Sequence, residues 1–165
     1  MQIYVGTYKK YNEGNLDGEW VDLSIYDNKD DFYEYCAEIH EDEEDPEFMF
    51  QDTEGDLKYF VSESSIDDNL WEFLEESSDP EEEFQAFAAY ASYLGGECAT
   101  YSDFQEAYQG EFDSEEDFAE HILEECGDLN SIPKHLRYYF DYEEYARDLF
   151  IDDFYFTDGF VFRRM

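Results

Sequence analysis

Asp113, Asp117, Glu120 and Glu124 recur at steps of four, three and four, a spacing that lines one face of a helix with carboxylates. Asp27, Asp31, Glu34 and Glu38 repeat it. Carboxylates so placed have three chemistries open to them: proton transfer, metal ligation, and the projection of negative charge. The first two need companions that the sequence does not supply. His40, His121 and His135 are scattered, none at ligand spacing with a cysteine or a second histidine. There is no phosphate loop, no GxSxG and no HExxH. Acid pairs of the hydrolase kind arise by chance among 47 Asp and Glu, so they carry no signal. Gly18 would stand sixth in a calcium loop behind Glu13, Asn15 and Asp17, but the twelfth position is Ser24, not the bidentate Glu required. The expectation is a protein with no catalytic residue, no metal and no cofactor. Charge is what remains.

Against 47 acids stand nine Lys and Arg, for a formal net charge of −38. Between Lys58 and Lys134 lie 75 residues with 22 acids and no Lys or Arg at all. Like charges three or four apart cost a helix about 0.2–0.5 kcal/mol per pair, so selection for stability alone would intersperse lysine. The runs Glu75-Glu76, Glu81-Glu82-Glu83, Glu115-Glu116 and Glu124-Glu125, with Asp67, Asp68, Glu72 and Asp128, widen the stripes into a surface. One helical stripe offers an acid about every 5.4 Å, whereas phosphates of a DNA strand advance about 3.4 Å. Adjacent stripes are therefore needed to imitate a duplex. At ~1.7 Å of duplex axis per charge, 38 charges correspond to about 65 Å, or roughly 19 base pairs. Carboxylates reproduce phosphates without base edges, so such a surface fits a DNA-binding groove whatever sequence that groove reads. The same field also suits an acidic sequestering or chaperone protein for another basic DNA-binding partner, or a halophile-type acidic binding protein. Anionic lipid and nucleic acid are both repelled by it. No apolar run approaches the ~20 residues of a membrane span, and Met1–Val5 reads as a strand, not as a signal segment. A cytoplasmic protein is expected, with Cys36, Cys98 and Cys126 as buried free thiols.

A chain this acidic would ordinarily stay disordered, but 21% aromatic and 42% hydrophobic residues allow cores. The patterning predicts an α+β protein: an elongated series of three small domains at 1–61, 62–102 and 103–165. In the first, strands over Ile3–Tyr8, Trp20–Ile25 and Phe48–Asp52, with Leu57–Val61 a further strand or an extended exit, carry one helix. That helix is capped by Asp27 or Asn28 and packs through Phe32, Tyr35, Cys36 and Ile39. The middle unit is helical. Ile66, Leu70, Phe73 and Leu74 mark one helix, and Pro80 starts another with Phe84, Phe87, Ala88, Ala91 and Leu94 inward, ended by Gly95-Gly96. In the third, Ser102 and Ser114 cap two helices, Pro133 starts one carrying Leu136, Tyr139 and Phe140, and Tyr142–Leu149 gives another. Phe154–Thr157 and Phe160–Arg163 around Asp158-Gly159 spell a hairpin with a type I′ turn.

Two stretches carry a family resemblance. Tyr11-Asn12-Glu13-Gly14-Asn15-Leu16-Asp17-Gly18-Glu19-Trp20 resembles the YNxGxLxGxW signature near the start of the ArdA antirestriction proteins. The run Leu123–Leu149 is similar to that family's antirestriction motif at Pro133, Tyr142, Tyr145, Arg147, Asp148 and Leu149, with Leu129, Leu136 and Tyr139 in the same region. The resemblance implies an inhibitor carried on bacterial mobile elements such as plasmids or conjugative transposons. Its implied target is the Type I restriction-modification enzyme, in the DNA groove of the methyltransferase core formed by specificity and modification subunits. It further implies a three-domain, curved homodimer shaped like bent DNA, with the antirestriction motif at the pairing surface. Arg147, amid Glu143, Glu144 and Asp148, is expected to pair locally; Arg163 and Arg164 are expected near the dimer junction or in solvent.

Overall fold

A computed structural model describes the chain apart from residues 27 and 96–98, and at Asp128 the backbone alone. The fold is α+β: among the described residues there are seven α-helices and two three-stranded antiparallel sheets. They fall into two compact units, Met1–Tyr101 and Ser102–Met165.

In the first unit, strand β1 (Gln2–Thr7) lies between β2 (Glu19–Asp22) and β3 (Phe48–Thr53). Ile3 faces Val21 and Val5 faces Phe50 across the ladders, and all four are buried. Thr7 ends β1 and caps the short helix α1 (Tyr8–Asn12), its Oγ1 accepting from Lys10 N at 3.2 Å. Tyr8 is therefore helical and not the strand residue expected. β2 is also shorter than predicted, because Asp22 caps a 3-10 turn over Leu23–Ile25. Helix α2 (Lys29–Glu38) covers the sheet with Phe32 and Cys36, both fully buried, and Phe32 also meets the Trp71 ring at 5.4 Å. Asn28 is its cap, accepting from Asp31 N at 3.0 Å; Asp27, the other candidate, lies outside the described residues. Burial pushes the Cys36 thiol up to about 12, which makes it inert as a nucleophile. His40 is buried as well, its Nε2 3.3 Å from Val5 O and its Nδ1 3.1 Å from Lys10 Nζ, so it fastens the end of α2 to the sheet.

The loop into β2 depends on one close approach. A Cβ on Gly18 would sit 2.4 Å from the Val5 carbonyl oxygen. Gly18→Ala must therefore push β1 and β2 apart. A loss of about 1–3 kcal/mol is expected, to be read from urea unfolding; an unchanged midpoint would contradict the packing.

Asp22 supplies a pH-dependent contribution. Partial withdrawal from water opposes its ionisation, but Oδ1 accepts from Ser24 Oγ at 2.7 Å and Ser24 N at 3.0 Å, and lies 3.4 Å from the Met1 amino group. The net result holds the carboxyl below the usual carboxylate range. A folded pKa below the unfolded one stabilises above the unfolded value and is lost as pH falls through the folded one. Asp22→Asn is expected to lower the melting temperature at pH 7, with the difference shrinking below about pH 4. Melting curves across that range check it; a pH-independent loss would contradict it.

The segment 57–61 is neither a strand nor extended. Gly55–Tyr59 is a 3-10 turn, and Val61 makes an isolated bridge to Ile66. Helices α3 (Asp68–Glu76) and α4 (Pro80–Leu94) follow, capped by Asp67 and Asp79, with Pro80 in the first turn. Their core is aromatic: Phe73 stacks on Phe87 at 4.8 Å, Phe87 on Phe60 at 5.0 Å, and Tyr101 meets Phe73 edge-on at 5.4 Å. Leu94, expected inward, is exposed at the end of α4, where Gly95 adopts φ 89° to terminate the helix. Gly96, the second glycine of that predicted stop, is outside the described residues, as is Cys98.

Helix α5 (Tyr101–Ala107) begins one residue before Ser102, which is therefore inside the helix and not at its cap. The second unit's sheet runs β4-β6-β5, with β4 Tyr108–Glu111, β5 Phe154–Thr157 and β6 Phe160–Arg163. Asp158 (φ 51°) and Gly159 (φ 89°) form the predicted hairpin turn. Helices α6 (Glu115–Cys126) and α7 (Tyr142–Asp152) close its core through Phe118, Leu149 and Phe150, packed with Phe154 and Val161. The helix expected from Pro133 is absent. A turn over 133–136 leads into a 3-10 turn, Arg137–Tyr139, leaving Leu136, Tyr138 and Tyr139 exposed. Arg137 enforces this by donating from Nε to Ile132 O at 3.1 Å, curling the segment back on itself. Cys126 is exposed, against the expectation of a buried thiol.

Candidate acidic interaction surface

Each helix that carries the acids buries one face and leaves the carboxylates on the other. On α2, Asp31, Glu34 and Glu38 are exposed opposite Phe32 and Cys36. On α3, Leu70, Trp71 and Phe73 are buried, Glu75, Glu76 and Asp68 are exposed, and Glu72 is half-buried. Asp67 is turned to the α3 cap, accepting from Asn69 N at 2.8 Å. On α4, Glu81 and Glu82 are exposed in the first turn. Glu83 has an internal role: its Oε2 accepts from the Ser77 hydroxyl at 2.7 Å and the Tyr101 hydroxyl at 2.9 Å. On α6, Phe118, Ala119 and Leu123 are buried while Glu115, Glu116, Asp117, Glu120, Glu124 and Glu125 are exposed, with Asp113 just before them. Ser114 caps this helix and donates its hydroxyl to Asp117 Oδ2 at 2.7 Å. Asp27 and the Asp128 side chain lie outside the described residues.

The helix ends sharpen the point. The partial negative charge at a helix C-terminus favours bases there, by about 0.3–1 kcal/mol each. Yet α2, α3, α4, α6 and α7 have no base in the last turn, and Glu38, Glu75, Glu76, Glu124, Glu125 and Asp152 occupy final turns instead. Acids in the first turns help their helices; these oppose them.

The few bases are used mostly inside each unit. Lys10 donates to Asp42 at 2.8 Å, and that contact holds the Asp42 carboxyl low. Lys29 pairs with Asp68, whose hydrogen bond raises the lysine's pKa. Lys58 lies 3.4 Å from Asp56, and Arg147 pairs with Glu144 as its sequence neighbours led us to expect. Arg164 donates to Phe154 O at 3.0 Å and stacks over the Tyr155 ring, and Arg163 lies 5.8 Å from the Phe154 ring. The exposed acids of α6 keep their charge uncompensated by these pairs.

The residues that resemble the antirestriction motif divide between core and surface. Leu129 is buried and Leu149 packs on the second unit's core. Tyr142 and Tyr145 are half-buried beside Phe140, with ring centroids at 5.0 and 5.9 Å. Pro133, Leu136, Tyr139, Arg147 and Asp148 are exposed. Tyr4 and Trp20 form an aromatic pair in the first unit; their alternation within short strands was legible in the sequence, but not that Trp20 stays exposed beside a half-buried Tyr4.

Among the described residues no group of three or more His, Cys, Asp or Glu is placed to hold a metal ion, and no helix is long and apolar enough to cross a membrane. Fold and surface together define a small α+β protein whose helices bury one face and carry acids on the other. The family of antirestriction proteins (ArdA) matches residues 3–162, and the chain belongs to that family. It is a family of antirestriction proteins and not of enzymes, and its members act on restriction-modification systems. No curated protein matches the chain.

Proposed function

We propose that this protein mimics double-stranded DNA and occupies the DNA-binding groove of Type I restriction-modification enzymes, in the methyltransferase core of specificity and modification subunits. The observation that carries this reading is the acid placed at helix C-termini, where it costs stability and where a base would help. A surface arranged against its own helices is selected for what it does to a partner. The carboxylates stand for phosphates, which position a protein on DNA without specifying sequence. Inhibition therefore extends to Type I enzymes of different recognition sequence. The mimic acts as a homodimer, which the exposed Leu136, Tyr138 and Tyr139 of the antirestriction motif support, and its domains 1–61 and 62–102, both within the first compact unit but for the last residue, and 103–165 each bear part of the charge. Within the bacterial cytoplasm such an inhibitor shields incoming DNA, in keeping with carriage on a mobile element.

The test is cleavage of unmodified DNA by two Type I enzymes with unrelated targets, with and without the purified protein. Both are expected to stop at stoichiometric inhibitor. Uninhibited cleavage by either enzyme would sink the sequence-independent groove.

A further inference from the structure

We propose that the outer face of the β2-β1-β3 sheet is a second contact surface, on which Trp20 receives a lysine or arginine head from a cationic patch of the protein partner; this rests on the function above. Helix α2 covers one face of the sheet, the face of Ile3, Val5 and Val21. On the other face, Trp20 stands opposite Tyr4, and Tyr4 opposite Asp52, in one row across three strands. Gln2 opposite Asp22 forms the next row. Trp20 is 45% exposed and Leu16, beside it in the signature loop, 61%.

These side chains are held in place. The Tyr4 ring meets Trp20 edge-on at 5.5 Å, its hydroxyl donates to Leu16 O at 2.9 Å, and Gly18 lets the loop approach Val5. An indole fixed in this way binds without a large ordering cost. A DNA backbone has nothing like it, so phosphate mimicry leaves it unexplained. Charge complementarity names the occupant. Asp22, two residues along β2, and Asp52, across the sheet on β3, share the face with Trp20, and Asp17 lies in the adjoining loop, so the face carries negative charge; Asp22 is held ionised. A cation over an indole on an acidic face is favoured twice, by the ring quadrupole and by the field of the face. Tryptophan meeting arginine is also the pairing in which interface affinity concentrates.

The protein has two tryptophans, and Trp71 is 4% exposed, so it serves as an internal reference. With 5-fluorotryptophan incorporated, fluorine NMR should show the Trp20 signal move on adding purified Type I methyltransferase core, and the Trp71 signal stay. A Leu16→Ser, Trp20→Ser double variant should bind about tenfold more weakly, by the same factor at low and high salt. Leu16→Ser alone, at an exposed position, controls for folding through its melting temperature. If the wild type binds while the double variant stays within twofold, or the Trp20 signal does not move, the surface is not a contact and only this proposal falls. A double variant that loses self-association but keeps its affinity for the enzyme would overturn it in favour of a second copy. A wild type that does not bind removes both this proposal and the function it rests on.

Discussion

Changing Glu38, Glu75, Glu76, Glu124 and Glu125 together to glutamine is expected to weaken binding to the methyltransferase while making the protein more stable. All five are exposed and sit in the last turns of α2, α3 and α6. Removing an acid from such a position relieves about 0.3–1 kcal/mol of unfavourable dipole interaction at low ionic strength. The melting temperature at low salt should rise. Each exposed contact with a basic groove is worth about 0.5 kcal/mol, so five lost contacts amount to about 2.5 kcal/mol, or roughly 70-fold in affinity. Single substitutions should change affinity only about twofold. Opposite signs in the two measurements are the mark of residues kept for a partner. Falls in both would mean that these acids serve the fold.

Phe73→Ala carries the largest expected loss of stability. Phe73 is fully buried between Phe87, stacked at 4.8 Å with an 11° interplanar angle, and Tyr101, edge-on at 5.4 Å. Truncation leaves a cavity costing about 3–5 kcal/mol, against a total stability of about 5–15 kcal/mol for an ordinary domain. For a unit of this size that lowers the melting temperature by about 15 °C or more. The net charge of −38 adds self-repulsion that this core must outweigh, so the loss should be most severe at low salt. Near-ultraviolet circular dichroism with thermal melting reads the effect, and Phe73→Leu, which nearly conserves volume, should cost under about 1.5 kcal/mol. A Phe73→Ala protein that melts as the wild type would show that the stack does not hold the unit together.

What could be read from sequence was whatever local chemistry decides. Asp158-Gly159 demands positive φ at both turn residues and so announced its hairpin, and Ser114 with Asp117, Asn28 and Pro80 announced their helix starts. The outward acids of α6 and α2 followed from helical period alone. The failures lie where a distant or two-sided contact decides. Thr7 belongs to a strand and caps a helix at once, and the five residues of α1 are too few to show a period. Leu136, Tyr139 and Phe140 have helical spacing, but the Arg137 bond to Ile132 O wins locally and ties a 3-10 turn. β4 carries Gln109, Gly110 and Glu111 with a register shift at its centre, so its alternation is erased. Within the surface, the period could not show that Glu83 is held by Ser77 and Tyr101, a contact spanning 18 residues of chain.

The most direct measurement is displacement of a fluorescent DNA duplex from a purified Type I methyltransferase core, titrated with this protein at several salt concentrations. Complete displacement is expected at stoichiometric protein, from duplexes with and without the recognition sequence, with an affinity that falls steeply as salt rises. A ternary complex in which the duplex stays bound, or an affinity indifferent to salt, would contradict it.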